Sequence, residues 1–469
     1  MSDTSSALSK TAHVTRSSGL DHRTVWRWHF YAGLFCIPFV IWLACTGTVF
    51  LFHPQIQHWI DRPYEHLAIT HPASASAQVQ AALAAVPGAM LHYYQLPEDA
   101  GSAAQVVVGK GDKEYRVYVH PQTLQVLKVD DEDKRLMNVV FRLHGELMIG
   151  NAGSYIVELA ASWAVIMIVT GLILWWPRNA RGLGGVLYPR LRAGGRTFWR
   201  DIHSVTGVYV SLLVLFQIFT GLPWAKSWGT YLKLIRHTAS GMVAQQDWTT
   251  STSDEKAARL AMNNAEADIN SEHAHMHHMM AMNMGPDAYI ALDKMVATVT
   301  PLDLAYPVEI APPMRMGGNW TAKSDSRNRP LRVNLVLDAK SGAIVSRQDF
   351  STRPWLDRVV GTAIAIHEGQ HFGLLNQLLG LFMAMGLVTL AISGAVMWWR
   401  RRPDGVLGAP HPLQKVRFSF GLLAAMIAFG IYFPLLGSSM IIVGLTERFI
   451  LRRISKVRRW LGLREPLAA

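Results

Sequence analysis

Residues 155–176 read YIVELAASWAVIMIVTGLILWW, and residues 375–399 read LNQLLGLFMAMGLVTLAISGAVMWW. Each is long enough for an apolar helix to cross lipid, which takes roughly 20 residues. Each ends in a tryptophan pair, Trp175-Trp176 and Trp398-Trp399, and a histidine precedes each at one fixed distance. Gly171 follows His144 by 27 residues, and Gly394 follows His367 by 27. A second pair of histidines repeats in the same way. His29 precedes Gly33 by four and Thr46-Gly47 by 17 and 18; His203 precedes Gly207 by four and Thr220-Gly221 by 17 and 18. Small residues in spans also serve helix packing, and tryptophans at span ends also serve as interfacial anchors. Matching offsets in both halves therefore carry more than either mark alone. They point to a duplication that places four histidines near membrane-spanning segments, a pattern suited to paired axial ligands of haem.

The chain has 469 residues and is half apolar. Five apolar blocks set a plan of segments: 1–27 cytoplasmic, 28–52 the first span, 53–150 an outer domain, 153–176 the second span and 177–202 a basic cytoplasmic loop. The second half repeats it, with 203–225 the third span, 226–374 a second outer domain, 375–399 the fourth span and 400–417 a cytoplasmic loop. Residues 418–445 read as a fifth span or as a helical hairpin broken near Pro434, and 446–469 as a basic tail. The first block is too long for a removable leader and lacks a small-residue cleavage site, so it is expected to stay as an anchor. The expected fold is an α-helical polytopic membrane protein. Its first four spans form a four-helix bundle by parallel duplication, with a C-terminal fifth hydrophobic segment and two small α+β outer domains.

A net charge of +12 raises the question of nucleic acid. The charge is concentrated in the loops after spans two and four, among them Arg178, Arg181, Arg190, Arg192, Arg196 and Arg200, then Arg400, Arg401 and Arg402. That is the cytoplasmic excess of membrane proteins, and it places the outer domains on the far side. No nucleic-acid partner is expected; the bilayer is. Cys36 and Cys45 lie in one span on roughly opposite helix faces and read as apolar fillers. There is no Cys-x-x-Cys-His for a covalent haem, and no glycine-rich nucleotide loop.

In the outer domains, Ser76–Val86 and Tyr289–Val299 read as helices. Ala89–Leu96, Ala104–Gly109, Glu114–His120 and Leu124–Val129 read as strands in the first, and Arg332–Leu337 with Ala343–Arg347 in the second.

By symmetry His29 pairs with His203 near the inner face, and His144 with His367 near the outer face. Arg27 and Arg200 are candidates to neutralise haem carboxylates, or are simply topological charges. Trp42, Phe39 and Trp163 lie between the two levels as candidate relays. His371 and His53 fall outside the repeat and are further candidate ligands. His367-Glu368-Gly369-Gln370-His371 fits a zincin motif only superficially, because a glycine sits inside it. A separate cluster, His273, His275, Met276, His277, His278 and Met279, offers imidazole and thioether ligands suited to copper or another transition metal; its plain reading is a compositionally biased loop.

Over nearly its whole length the chain resembles the PepSY-associated transmembrane family, iron-regulated inner-membrane proteins that include ferric-siderophore reductases. The resemblance rests on His29 with Thr46-Gly47, on the His144 segment ending in Trp175-Trp176-Pro177, and on the His203 span. It rests also on Leu337-Asp338-Ala339-Lys340-Ser341-Gly342-Ala343-Ile344, which looks like the end of a PepSY domain, and on the His367 segment ending in Trp398-Trp399-Arg400. It implies PepSY-like periplasmic domains, an inner-membrane location, haem b at two sites, and reduction of a ferric siderophore or other metal chelate with electrons from quinol or a cytoplasmic donor. The His/Met-rich loop departs from that pattern. A non-enzymatic sensor or regulator, and a copper-handling membrane protein, stay open as other classes.

Overall fold

The computed structural model describes residues 22–177, 182–240, 289–313, 318–410 and 420–463. From the N-terminus run α1 (His22–Leu51), α2 (His53–Asp61), α3 (Ala75–Ala85), strands β1 (Met90–Gln95), β2 (Ala104–Lys110), β3 (Lys113–Val119) and β4 (Val126–Asp131), then α4 (Leu136–Glu146) and α5 (Asn151–Trp175). The second half repeats this order: α6 (Gly195–Gly221), α7 (Lys226–Ser240), α8 (Ile290–Val299), β5 (Val308–Ala311), β6 (Trp320–Ser324), β7 (Val333–Leu337), β8 (Ile344–Asp349), α9 (Trp355–His367) and α10 (Gly373–Arg401). Among the described residues, the duplication read from four histidines thus extends to these paired elements. After it come α11 (Phe420–Tyr432), α12 (Pro434–Thr446) and α13 (Ser455–Leu461).

Five helices are long and apolar enough to cross a membrane: His22–Leu51, Asn151–Trp175, Gly195–Trp224, Gly373–Arg401 and Pro434–Leu451. The chain is a multi-pass membrane protein. Helix α1 packs on α5 and α10, and α6 packs on the same two. Small residues set the closeness of these contacts. A Cβ added at Gly386 would lie 2.5 Å from Val210 Cγ1, and one at Gly380 2.7 Å from Leu51 Cδ1.

Each half contributes one helix and four antiparallel strands, but the expected pair of separate small domains is a single sheet of order β4-β3-β2-β1-β5-β6-β7-β8. The seam is short, pairing Tyr94 with Ile310 and Gln95 with Glu309. Helices α3 and α8 lie side by side on one face, where Val79, Ala82, Leu292 and Met295 meet Val106, Val117, Ile310 and Leu335 in one core. Asp293 of α8 accepts from the Ser76 backbone N–H at 2.9 Å and hydroxyl at 2.6 Å, tying the helices across the seam. On the opposite face Arg116 donates to Gln95, Gln105, Tyr93 and Glu132. Strands β5 and β6 were not expected: they have four and five residues, too few for alternation to register.

Of the two readings of 418–445, the structure shows the hairpin. The chain reverses at Phe433, and a Cβ on Gly437 would stand 2.9 Å from Gly430 Cα. The tail therefore returns to the end of the molecule where α1 begins. There Arg27 Nη1 donates to the carbonyls of Pro410 (3.0 Å) and Gly462 (2.9 Å), and the Tyr31 hydroxyl donates to Leu461 O at 2.6 Å.

Candidate functional site

His29 on α1 and His203 on α6 face each other, ring centroids 6.2 Å apart and planes at 87°. His29 Nδ1 lies 3.0 Å from Met167 O and 3.1 Å from Thr170 Oγ1, both on α5. His203 Nδ1 lies 3.1 Å from Leu390 O and 3.0 Å from Ser393 Oγ, both on α10. A carbonyl oxygen only accepts, so Nδ1 carries the proton in both rings and Nε2 keeps a free lone pair.

The second pair is built alike. His144 lies in the last turn of α4 and His367 ends α9, at the other end of the apolar helices. His144 Nδ1 lies 2.9 Å from Thr46 Oγ1, and His367 Nδ1 lies 2.8 Å from Thr220 Oγ1. Each hydroxyl already donates one turn back, Thr46 to Trp42 O (2.8 Å) and Thr220 to Phe216 O (2.7 Å). Each must therefore accept from the imidazole, and the tautomer is again fixed. Burial pulls the pKa of His144 down to about 4. Burial, then the charge that His144 would carry, pulls His367 down to about 3. Both are neutral imidazoles at physiological pH, the form that ligates a metal.

Each ring also lies over a glycine. Added Cβ atoms would stand 3.1 Å from Cε1 of His144 at Gly47, 3.1 Å from that of His29 at Gly171, 3.1 Å from that of His367 at Gly221, and 3.4 Å from that of His203 at Gly394. Every mount is a Ser/Thr-Gly dipeptide supplied by the same half of the chain as its histidine. The facing His29 and His203 come from different halves. Two further side chains hold the backbone here: Trp42 Nε1 donates to Leu143 O at 2.8 Å, and Gln217 Nε2 to His367 O at 3.0 Å.

All four histidines line one cavity of about 1640 Å³ between α1, α5, α6 and α10. It is larger than a typical small-molecule pocket of about 300–1,000 Å³. Arg190, Arg196, Arg200, Arg400 and Arg401 line it at the His29/His203 end, and Glu146, Glu158, Glu368 and Lys226 at the other. Asp201, wholly buried, accepts from Arg190 Nε and Arg200 Nη2, each at 2.7 Å. Among the described residues no three His, Cys, Asp or Glu side chains gather to hold a bare metal ion. Two neutral imidazole nitrogens facing one large cavity fit a metal that brings its other ligands with it, as in haem.

The remaining candidates lie elsewhere. His53 Nε2 accepts from Arg327 Nη2 at 2.8 Å, and burial, with Arg327 and Arg135 nearby, pushes its pKa down to about 2. It does not line the cavity, and neither does His371, whose Nδ1 meets Asn328 Oδ1 at 3.1 Å. The His-Glu-x-x-His run is not helical, since α9 stops at His367 and Gly369 has φ +76°. His273, His275, Met276, His277, His278 and Met279 lie outside the described residues. Arg27 is committed to the tail carbonyls, while Arg200 reaches the cavity. Of the three aromatic relay candidates only Phe39 lines the cavity; Trp163 donates to Ser439 Oγ at 3.0 Å, toward α12.

Sequence reasoning missed Thr170 and Ser393. The signal was present, because each of the four spans holds a Ser/Thr-Gly dipeptide. The family model for the PepSY-associated TM region matches residues 26–401, a stretch that includes both histidine pairs and all eight strands. No curated protein matches the chain.

Proposed function

Because the chain belongs to the family of the PepSY-associated TM region, we propose that it is an inner-membrane electron-transfer protein. It would carry two b-type haems and reduce a metal chelate, a ferric siderophore foremost, on the periplasmic side. The observation that supports this reading is the set of four Nδ1-protonated imidazoles lining one cavity, with His29 and His203 face to face. The first four spans act as a bundle. His29 and His203 hold one group and His144 and His367 the other. Haem supplies a one-electron carrier whose potential the protein sets through its ligands and their hydrogen bonds.

The basic loops support an orientation with the N-terminus in the cytoplasm and the sheet in the periplasm. The arginines at the His29/His203 end suit the carboxylates of that group. About 27 Å of α1, at roughly 1.5 Å per residue, separates the two levels, so electrons enter at one face from quinol or a cytoplasmic donor and leave at the other. Ferric siderophores hold Fe(III) through hard oxygen donors; one electron gives Fe(II), which those donors hold far less tightly.

The test is haem quantitation on purified protein made with ample haem, with dithionite reduction and reoxidation by ferric chelates. Reduced b-type bands that disappear on adding the chelate support the reading. A preparation without those bands sinks it.

A further inference from the structure

Beyond α12 the chain runs from Glu447 to Leu463 as ERFILRRISKVRRWLGL, with six cations and one acid. The acid is taken, since Arg452 Nη2 lies 2.7 Å from Glu447 Oε1. Arg448, Arg453, Lys456 and Arg459 are exposed. So are the large apolar side chains between them: Phe449 is 52% exposed, Ile450 54%, Ile454 46% and Trp460 48%. A charge run that meets only water gains nothing from large apolar groups set among its cations. Interleaved in this way, the two suit the boundary where lipid headgroups meet acyl chains. The stretch lies at such a boundary, because it continues directly from the apolar span Pro434–Leu451.

The tail is also held in place rather than hanging from the span. Trp460 O accepts the Leu407 backbone N–H at 2.9 Å, Leu461 O accepts the Tyr31 hydroxyl at 2.6 Å, and Gly462 O accepts Arg27 Nη1 at 2.9 Å. These bonds use backbone oxygens of the tail and leave the side chains of Lys456 and Arg459 on the surface.

We propose that residues 447–463 form a docking surface for anionic phospholipid, with the four exposed cations meeting headgroup phosphates and the four apolar side chains seated among acyl chains. The occupant is a lipid rather than a soluble anion, because the apolar groups gain only from acyl chains. The proposal stands apart from the haem reading. Attraction to an anionic membrane surface is worth about a fivefold gain in binding for each Lys or Arg.

The experiment titrates the purified full chain, in neutral detergent, with phosphatidylglycerol, phosphatidylcholine or inorganic phosphate. Bound lipid is counted by native mass spectrometry, and hydrogen–deuterium exchange is followed over residues 447–463. The expected result is that phosphatidylglycerol binds and slows exchange in the tail, whereas phosphatidylcholine and inorganic phosphate do not. Arg448→Gln, Arg453→Gln, Lys456→Gln and Arg459→Gln, made singly, should each weaken phosphatidylglycerol binding about fivefold; combined, they should abolish the slowed exchange. Lysine at the three arginine positions keeps the charge and should keep the lipid, which separates loss of docking from loss of folding. Equal protection by phosphatidylcholine overturns the proposal, as does full protection by inorganic phosphate, which would mark a simple anion site. Glutamine variants that bind phosphatidylglycerol as the unaltered chain does overturn it too.

Discussion

His29 and His203 stand 6.2 Å apart, ring centre to ring centre, although each is mounted on a helix of its own half. Neither half can make a two-imidazole site by itself. If each pair acts as one ligand set, either member is as necessary as the other. His29→Ala and His203→Ala are expected to remove the same one of two haems, and His144→Ala and His367→Ala the other. Haem-to-protein ratios check this, and unequal losses within a pair contradict it.

The glycine mounts give a graded expectation. Valine at Gly47, Gly171 or Gly221 puts its Cβ about as close to a histidine ring as contacts ever come, 3.1 Å. Overpacking of this kind costs about 1–3 kcal/mol, and here it also turns the ring. Alanine at Gly394, with 3.4 Å available, should be the mildest change. Thermal unfolding in detergent, followed together with haem content, ranks the four.

Acid should act on the haem-free protein through the outer histidines. Folding holds His144 near 4 and His367 near 3, below the ordinary value of about 6.5. Between those values and 6.5 the unfolded chain binds more protons, so stability falls as pH falls through that window and levels off below it. The slope is at most about 1.4 kcal/mol per pH unit for each histidine. Replacing His144 with Gln should flatten it in a pH series of unfolding midpoints; an unchanged slope would count against the buried neutral state.

Glu158 is a fourth target. Its carboxylate accepts the backbone N–H groups of Ser227 (2.9 Å) and Trp228 (3.1 Å) at the start of α7. Glu158→Ala should cost about 0.5–2 kcal/mol, as loss of a helix cap does, and Glu158→Gln less, because one carbonyl oxygen remains. Proteolysis rates near residue 230 read the difference.

The sequence made the duplication, the spans and the histidine pairs legible because all three are spacing signals, and spacing survives without coordinates. Thr170 and Ser393 escaped because a hydroxyl beside a glycine in an apolar helix usually bonds back to its own helix, as Thr170 also does to Ile166 O. The joined sheet was hidden for another reason. Backbone pairing of β1 with β5 uses atoms common to every residue, and β5 follows Pro307 and ends before Pro312-Pro313, which mask so short a strand.

That seam bears on how the molecule is made. Tyr94 and Ile310 are roughly two hundred residues apart, and closing so long a loop is entropically costly and slow. During synthesis the first four strands emerge with the β1 edge bare, an open template for wrong pairing. The proper partner arrives only after two more helices have been threaded into lipid. Truncation between the halves should therefore leave that edge unpaired and yield aggregates rather than a working half.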